Sequence, residues 1–267
     1  MHPFDQAIQL APLGGDRFEG ATHPDYANMV GPFGGLTNAV LLHAVLQHQQ
    51  RRGEPIAFTV NFAAPVRDGP FEIDAMPVRT NRSTQHWSLR LRQGEDVQAT
   101  ATAVLAQRRE GWSAPEATLP DRLPSPADVR RLPAAGLPVW IGRYDMRFIE
   151  GGLEKLDGTA RPESTSRLWV RDDPPRPLDF ESLAAISDCF FPRVFLRLGR
   201  FLPAGTVSMT TYFHADAGVL AAQADRHVLG LARGLHFRHG YFDQTAELWS
   251  DDGQLLASSH QMVYFRE

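Results

Sequence analysis

Cysteine occurs once in 267 residues, at Cys189, so no disulfide can form within the chain, and its scarcity fits a reducing compartment. No apolar run approaches the ~20 residues that span a bilayer. The N-terminus, MHPFDQAIQL, lacks a basic segment followed by an apolar stretch and a small-residue cleavage site. Neither sign of charge dominates, because 27 Lys and Arg face 31 Asp and Glu along the whole chain. That balance lacks the concentrated basic footprint of a nucleic-acid binder. Among the ten histidines no helical His-x-x-x-His pair occurs. His236 and His239 stand three apart in a strand or turn context and tend to opposite faces, so no metal site is expected. A cytoplasmic protein without membrane insertion is the default expectation.

What is present divides into two halves. Residues 110–138 read EGWSAPEATLPDRLPSPADVRRLPAAGLP, with Pro115, Pro120, Pro124, Pro126, Pro133 and Pro138. Proline lacks the amide donor and fixes φ, so this stretch cannot be a central strand or a long helix. It reads as a linker between residues 1–109 and 139–267. Each flanking half offers a strand candidate (RFEGATH, RYDMRFIEG), then a helix, then four strand-like runs. In the first half these runs are PIAFTVNFAAPV, FEIDAMPVRTN, QHWSLRLRQ and VQATATAVLAQR. In the second they are GTVSMTTYFHADA, RHVLGLARGLHFR, YFDQTAELWSDD and QLLASSHQMVYFR. Phe62-Ala63-Ala64 and Phe213-His214-Ala215 mark the same place in each. Turn signals such as Arg67-Asp68-Gly69 and Asp252-Gly253 join the runs, which predicts antiparallel sheet. The helices are expected at about 33–50 and 180–191. From Leu36 to Leu46 almost every position is apolar, so the first helix is buried on most sides. A helix wrapped by a curved antiparallel sheet is a hot-dog unit. The expected fold is α+β, a double hot-dog of two tandem antiparallel sheets, each wrapped around a long central helix.

Gly31, Pro32, Gly34 and Gly35 crowd the start of the first helix. A helix N-terminus carries unpaired N–H groups and partial positive charge, and glycines there let a ligand touch the backbone. The amides around Gly34 and Gly35 could stabilise an oxyanion, or the glycines could only let the helix tuck under the sheet. Asp188, in LAAISDCFFP, is an acid among apolar residues on the second helix, either a general base or half of a structural ion pair. Pro192, four residues on, should loosen or end that helix. Gln261 shares a face with Leu255, Ala257, Ser259, Val263 and Phe265 and points inward. It can hold a water beside a carboxylate, or it can be satisfied by backbone carbonyls. Cys189 projects away from Asp188 and has no histidine arranged with it, so it reads as a buried, inert thiol. Arg79, Arg82, Arg90 and Arg92 could meet phosphates but read as solvated strand faces. Arg51 and Arg52 suit the negative end of the first helix.

GPFGGLTNAVLLHAV followed by FTVNFAAPVRDGPFEIDAMPVRTNRSTQHWSLRLRQ resembles the N-terminal half of the acyl-CoA thioesterase II family. LAAISDCFFP, GTVSMTTYFHAD and DDGQLLASSHQMVYFR resemble its C-terminal half. The resemblance implies a double hot-dog enzyme that hydrolyses acyl-CoA to free acid and CoA with an activated water and no cofactor. It places the catalytic aspartate, threonine and glutamine at Asp188, Thr206 and Gln261. The alternation count disagrees at the threonine. Val207, Met209, Thr211 and Phe213 form the apolar face, so Thr211 is the rival. The other readings are a non-catalytic acyl- or CoA-binding protein and a hot-dog hydratase or dehydratase. The latter resemble proteins with Asp-x-x-x-x-His, where this chain has Arg193. The implied partners are a small acyl-CoA and, at most, a second copy of the chain in a homodimer.

Overall fold

A computed structural model describes residues 1–119 and 123–267; Pro120, Asp121 and Arg122, inside the expected linker, lie outside the described residues. The first half contains helix α1 (Pro3–Ala7), strands β1 (Ala11–Gly14) and β2 (Arg17–Ala21), and helix α2 (Gly34–Leu46). Strands β3 (Glu54–Phe62), β4 (Pro70–Thr80), β5 (Thr84–Gln93) and β6 (Asp96–Ala106) complete it. The second half has β7 (Tyr144–Glu150), β8 (Ser166–Asp172), α3 (Phe180–Ile186), α4 (Arg193–Leu198), β9 (Ala204–Phe213) and α5 (Ala217–Gln223). It closes with β10 (Val228–Arg233), β11 (Phe237–Arg238), β12 (Tyr241–Trp249) and β13 (Leu255–Phe265).

Alternation builds the strands. Along β5, Gln85, Trp87, Leu89 and Leu91 are buried while His86, Ser88 and Arg90 turn outward. The strands run β1-β2-β4-β5-β6-β3-β9-β13-β12-β10-β8-β7, with β11 beside β12. The order repeats from each outer side inward: β2-β4-β5-β6-β3 on one side, β8-β10-β12-β13-β9 on the other. The expected two tandem sheets are therefore one continuous antiparallel sheet. Its halves join edge to edge where Thr59 of β3 stands opposite Thr210 of β9, their hydroxyls 2.9 Å apart. Pairing the two inner edges removes a pair of exposed strand edges.

Inside this sheet lies α2, with ten of its 13 residues buried. A helix apolar nearly all round needs cover on every side, and it receives it from the sheet and from α3, which packs along it. The Arg51 Nη1 donates to the Leu46 carbonyl at the helix C-terminus, 3.2 Å away.

The second long helix does not form. It stops at Ile186. Pro192 has no N–H for the carbonyl four residues before it and crowds that turn, so a helix cannot run through Phe191. The chain instead tightens into short turns, with Asp188 N–H on Ala185 O and Cys189 N–H on Ile186 O, and restarts as α4. Also, RYDMRFIEG forms the edge strand β7, while the strand directly before the second helix is β8, which the sequence pattern did not single out. In the described part of 107–138 there is no α-helix or strand. Leu119, Leu123 and Val129 there cover Trp169, Leu229 and Trp249 of the sheet, and Trp169 Nε1 donates to Pro124 O at 2.9 Å. Among the described residues no helix is long and apolar enough to cross a membrane.

Candidate active site

The turn after α3 presses against the start of α2. A Cβ added to Gly34 would stand 2.6 Å from Asp188 Oδ2, and one added to Gly35 would stand 2.4 Å from Ala185 O. Neither glycine needs a left-handed backbone, so their role is close approach. Gly31 differs: its φ is +66°, and an added Cβ would stand 2.3 Å from Val66 O. The glycine-rich start of the first-half helix therefore makes room for a carboxylate of the second half. Asp188 itself lies in the turn beyond the helix rather than on it.

Two further side chains reach this carboxylate in line. Gln261 Nε2 donates to Asp188 Oδ1 at 2.8 Å, and Thr206 Oγ1 donates to Gln261 Oε1 at 3.2 Å. An ionised carboxylate only accepts, so the glutamine must face it with its NH2. Gln261 is 3% exposed and inward, as alternation along β13 requires.

Alternation along β9 failed at one residue. Met262 pairs with Ser208 and Val263 with Thr206, so Val207 is an extra residue in a bulge. A bulge flips the phase of the strand on one side of it. Val207, expected on the apolar face, is exposed, and Thr206 turns to the inner side beside Gln261. Thr211 is also inward, 2% exposed and opposite Ser259, but no hydrogen bond joins it to Asp188 or Gln261.

Asp188 keeps some accessible surface, yet protein packs densely around its carboxyl. Loss of solvation raises its pKa to about 7; the Gln261 hydrogen bond and the Gly35 amide facing it pull the other way. Among the described residues no arginine, lysine or histidine forms an ion pair with it, so it is not half of a structural salt bridge. Cys189 is fully buried, and burial pushes its thiol pKa up, away from reactivity.

In the sequence Arg193 stands out only as a departure from Asp-x-x-x-x-His, and Gln244 carries no signal of its own. Arg193 is fully buried, and burial lowers its pKa to about 9. It donates to Phe191 O, to Ser164 O and Ser166 Oγ at 2.8 Å, and to Gln244 Oε1 at 2.9 Å. It thereby staples the turn that follows Asp188 to β8 and β12. Gln244 stands opposite Gln261 in the strand pair. The signal is a single charge inside the otherwise apolar FFPRVFL. Of the arginines weighed for phosphates, Arg92 is ion-paired with Glu72 and Asp74, and Arg79 bonds Asn81. Among the described residues no three His, Cys, Asp or Glu side chains are grouped to hold a metal ion.

Comparison with known proteins adds a second line. The profile of the acyl-CoA thioesterase C-terminal domain matches residues 115–265, and that of the N-terminal domain matches residues 23–106. A hot-dog-fold protein of unknown function from Alicyclobacillus acidocaldarius is 48% identical over 100% of this chain and 99% of its own, with a TM-score of 0.95. The fold is shared with a putative thioesterase II from Thermobifida fusca at 20% identity, covering 100% and 98% of the two chains (TM-score 0.83). It is shared too with an acyl-CoA thioesterase II from Mycobacterium marinum at 17% identity, covering 98% of each chain (TM-score 0.79). No curated protein matches.

Proposed function

This chain belongs to the acyl-CoA thioesterase family and is a thioester hydrolase, and we propose that it cleaves its substrate by direct attack of a water activated at Asp188. The observation that carries this reading is the contact between the two halves: a desolvated carboxyl with a pKa of about 7, on a residue that keeps some accessible surface, set against the N-terminus of α2. A general base works best when its pKa lies near the working pH.

In the proposed reaction the thioester carbonyl oxygen lies at the start of α2. The Gly34 N–H, first in the helix, has no intrahelical acceptor and stabilises the developing oxyanion; one such donor is worth about 3 kcal/mol in a transition state. The Gly35 amide faces Asp188, so it serves the carbonyl through the base it orients. Thr206 fixes the Gln261 amide, Gln261 fixes the carboxylate, and together they hold the water. Asp188 takes one proton as the oxygen bonds to the carbonyl carbon. The tetrahedral species then expels the CoA thiolate, which receives the proton back from Asp188. No acyl-enzyme forms. The first half supplies no equivalent carboxylate at its helix, so one site per chain is part of the proposal, as are a cytoplasmic location and a role in lipid metabolism.

The test is a hydrolysis panel of straight-chain acyl-CoAs of increasing length and of aryl thioesters, read by free-thiol release, for the native chain and Asp188→Asn. Turnover by the native chain that Asp188→Asn abolishes, with acyl-CoA binding retained, supports the reading. Binding without turnover in the native chain would leave a non-catalytic acyl-CoA binder.

A further inference from the structure

Four buried side-chain polar atoms without a hydrogen-bond partner among the described residues fall in one place: Tyr26 Oη, Tyr144 Oη, Asp172 Oδ1 and Trp140 Nε1. These residues are between 0% and 6% exposed. Tyr144 of β7 stands directly opposite Asp172 of β8, so their side chains share a face. The Tyr26 ring meets the Tyr144 ring edge to face at 6.4 Å. Trp140 stacks on Phe33 at 4.0 Å and touches Tyr144 edge to face. Three oxygen-bearing side chains, one from the first half and two from the second, thus adjoin one another behind the start of α2. An isolated orphan is unusual in a native interior, and several together mark a polar site that an internal water can satisfy with two to four hydrogen bonds.

We propose that Tyr26, Tyr144 and Asp172 share an internal water, and that this water-bridged cluster holds the start of α2 in register with α3. Each end of the cluster is anchored to one helix. The Tyr26 carbonyl accepts the Phe33 N–H at 2.8 Å, immediately before Gly34. Asp172 Oδ2 accepts from Ser182 Oγ of α3 at 2.5 Å. These two helices must meet for Asp188 to reach Gly34. Tyr26, Tyr144 and Asp172 are therefore positioning residues, a role that rests on the function proposed above, whereas the water site does not.

The charge around Asp172 fits a shared water. Burial raises its pKa to about 7, against the Ser182 hydrogen bond and against Arg176, whose guanidinium is 3.9 Å off, while the carboxylates of Asp179 and Asp5 push it further up. Tyr26 and Tyr144 keep their protons, since burial lifts both well above the ordinary phenol value. Near neutrality and below, the acid form of Asp172 can donate from Oδ1 while Oδ2 still accepts from Ser182.

A high-resolution crystal structure of the full chain tests the site directly. A density peak within hydrogen-bond distance of at least two of the three oxygens is expected, and a dry site overturns the proposal. Tyr26→Phe and Tyr144→Phe should each lower the melting temperature by about 2–4 °C, the scale of one lost bridge in a chain this size. The double variant should lose less than the sum, because both hydroxyls hold the same water. A rise in melting temperature in either variant would show a dry orphan relieved, and would overturn the site. For the positioning role, Tyr144→Phe should lower kcat several-fold with KM unchanged. Asp172→Asn, which imitates the acid form, should keep native kcat near pH 7 where Asp172→Ala does not. Native kcat in Tyr144→Phe would overturn that role. Density and melting are read without turnover, so they stand even if Asp188 proves not to be the base.

Discussion

Replacing Asp188 by asparagine should abolish turnover and, above neutral pH, make the protein more stable. The folded-state pKa is raised from 3.8 to about 7. A shift of about three units corresponds to roughly 4 kcal/mol spent on holding the ionised form in place. The sign follows from proton binding. Between pH 4 and 7 the folded carboxyl holds a proton that the unfolded one has released, so native stability falls as pH rises through that window, by at most about 1.4 kcal/mol per pH unit. Asparagine removes this slope. It also sets an NH2 against the Gly35 amide, which costs about 1–2 kcal/mol. The net expectation is a gain of about 2–3 kcal/mol at pH 8–9, shrinking to nothing or reversing near pH 4–5. Urea unfolding of both proteins across pH 5–9, with equal m-values, measures it. Asp172, also near 7, imposes its own slope on both proteins, so the difference between the curves isolates Asp188. Parallel curves would show that Asp188 titrates as an ordinary carboxylate and would refute the electrostatic basis of the proposed base.

Three further substitutions probe the surroundings. Thr206→Val should lower kcat by the equivalent of about 1–3 kcal/mol, the scale of one lost buried hydrogen bond, while Thr211→Val should leave steady-state rates nearly unchanged; the opposite pattern would point to Thr211 as the water-holding hydroxyl. Gly34→Ala should cost most of the activity while the chain still folds, because its Cβ falls 2.6 Å from Asp188 Oδ2 and the carboxylate must move; native kcat would show that this contact is slack. Cys189→Ala should retain most activity, and loss of turnover with a trapped acyl-enzyme in the native protein would make the thiol the nucleophile.

The sequence pattern and the structure part company at identifiable residues. The strands are legible because one face is buried, and Gln261 is read as inward by simple counting. The first helix is legible because nothing but complete enclosure suits LTNAVLLHAVL. Asp188 stands out as an acid among apolar neighbours. Thr206 could not be placed by counting, because the bulge at Val207 inverts the phase of the strand. The second helix is shorter than its apolar run suggests: Pro192 marks where a helix must end, but the chain leaves the helix about a turn earlier and so brings Asp188 onto Gly34. The edge-to-edge join of β3 and β9 sets Thr59 against Thr210 and Asn61 against Ser208 on one face and Val60 against Met209 on the other, a pairing with no local signature. Tyr26, Tyr144 and Asp172 lie far apart in sequence, and only the pairing of β7 with β8 brings the latter two together.

The water attack itself is tested most directly by a single turnover in heavy-oxygen water, with excess enzyme over acyl-CoA. Mass spectrometry then reads both the released acid and the peptide that contains Asp188. Direct attack predicts heavy oxygen in the acid from the first turnover and none in the Asp188 carboxyl. Unlabelled acid in that turnover, with heavy oxygen in Asp188, would mean that the carboxylate attacks the thioester and that the water only releases it.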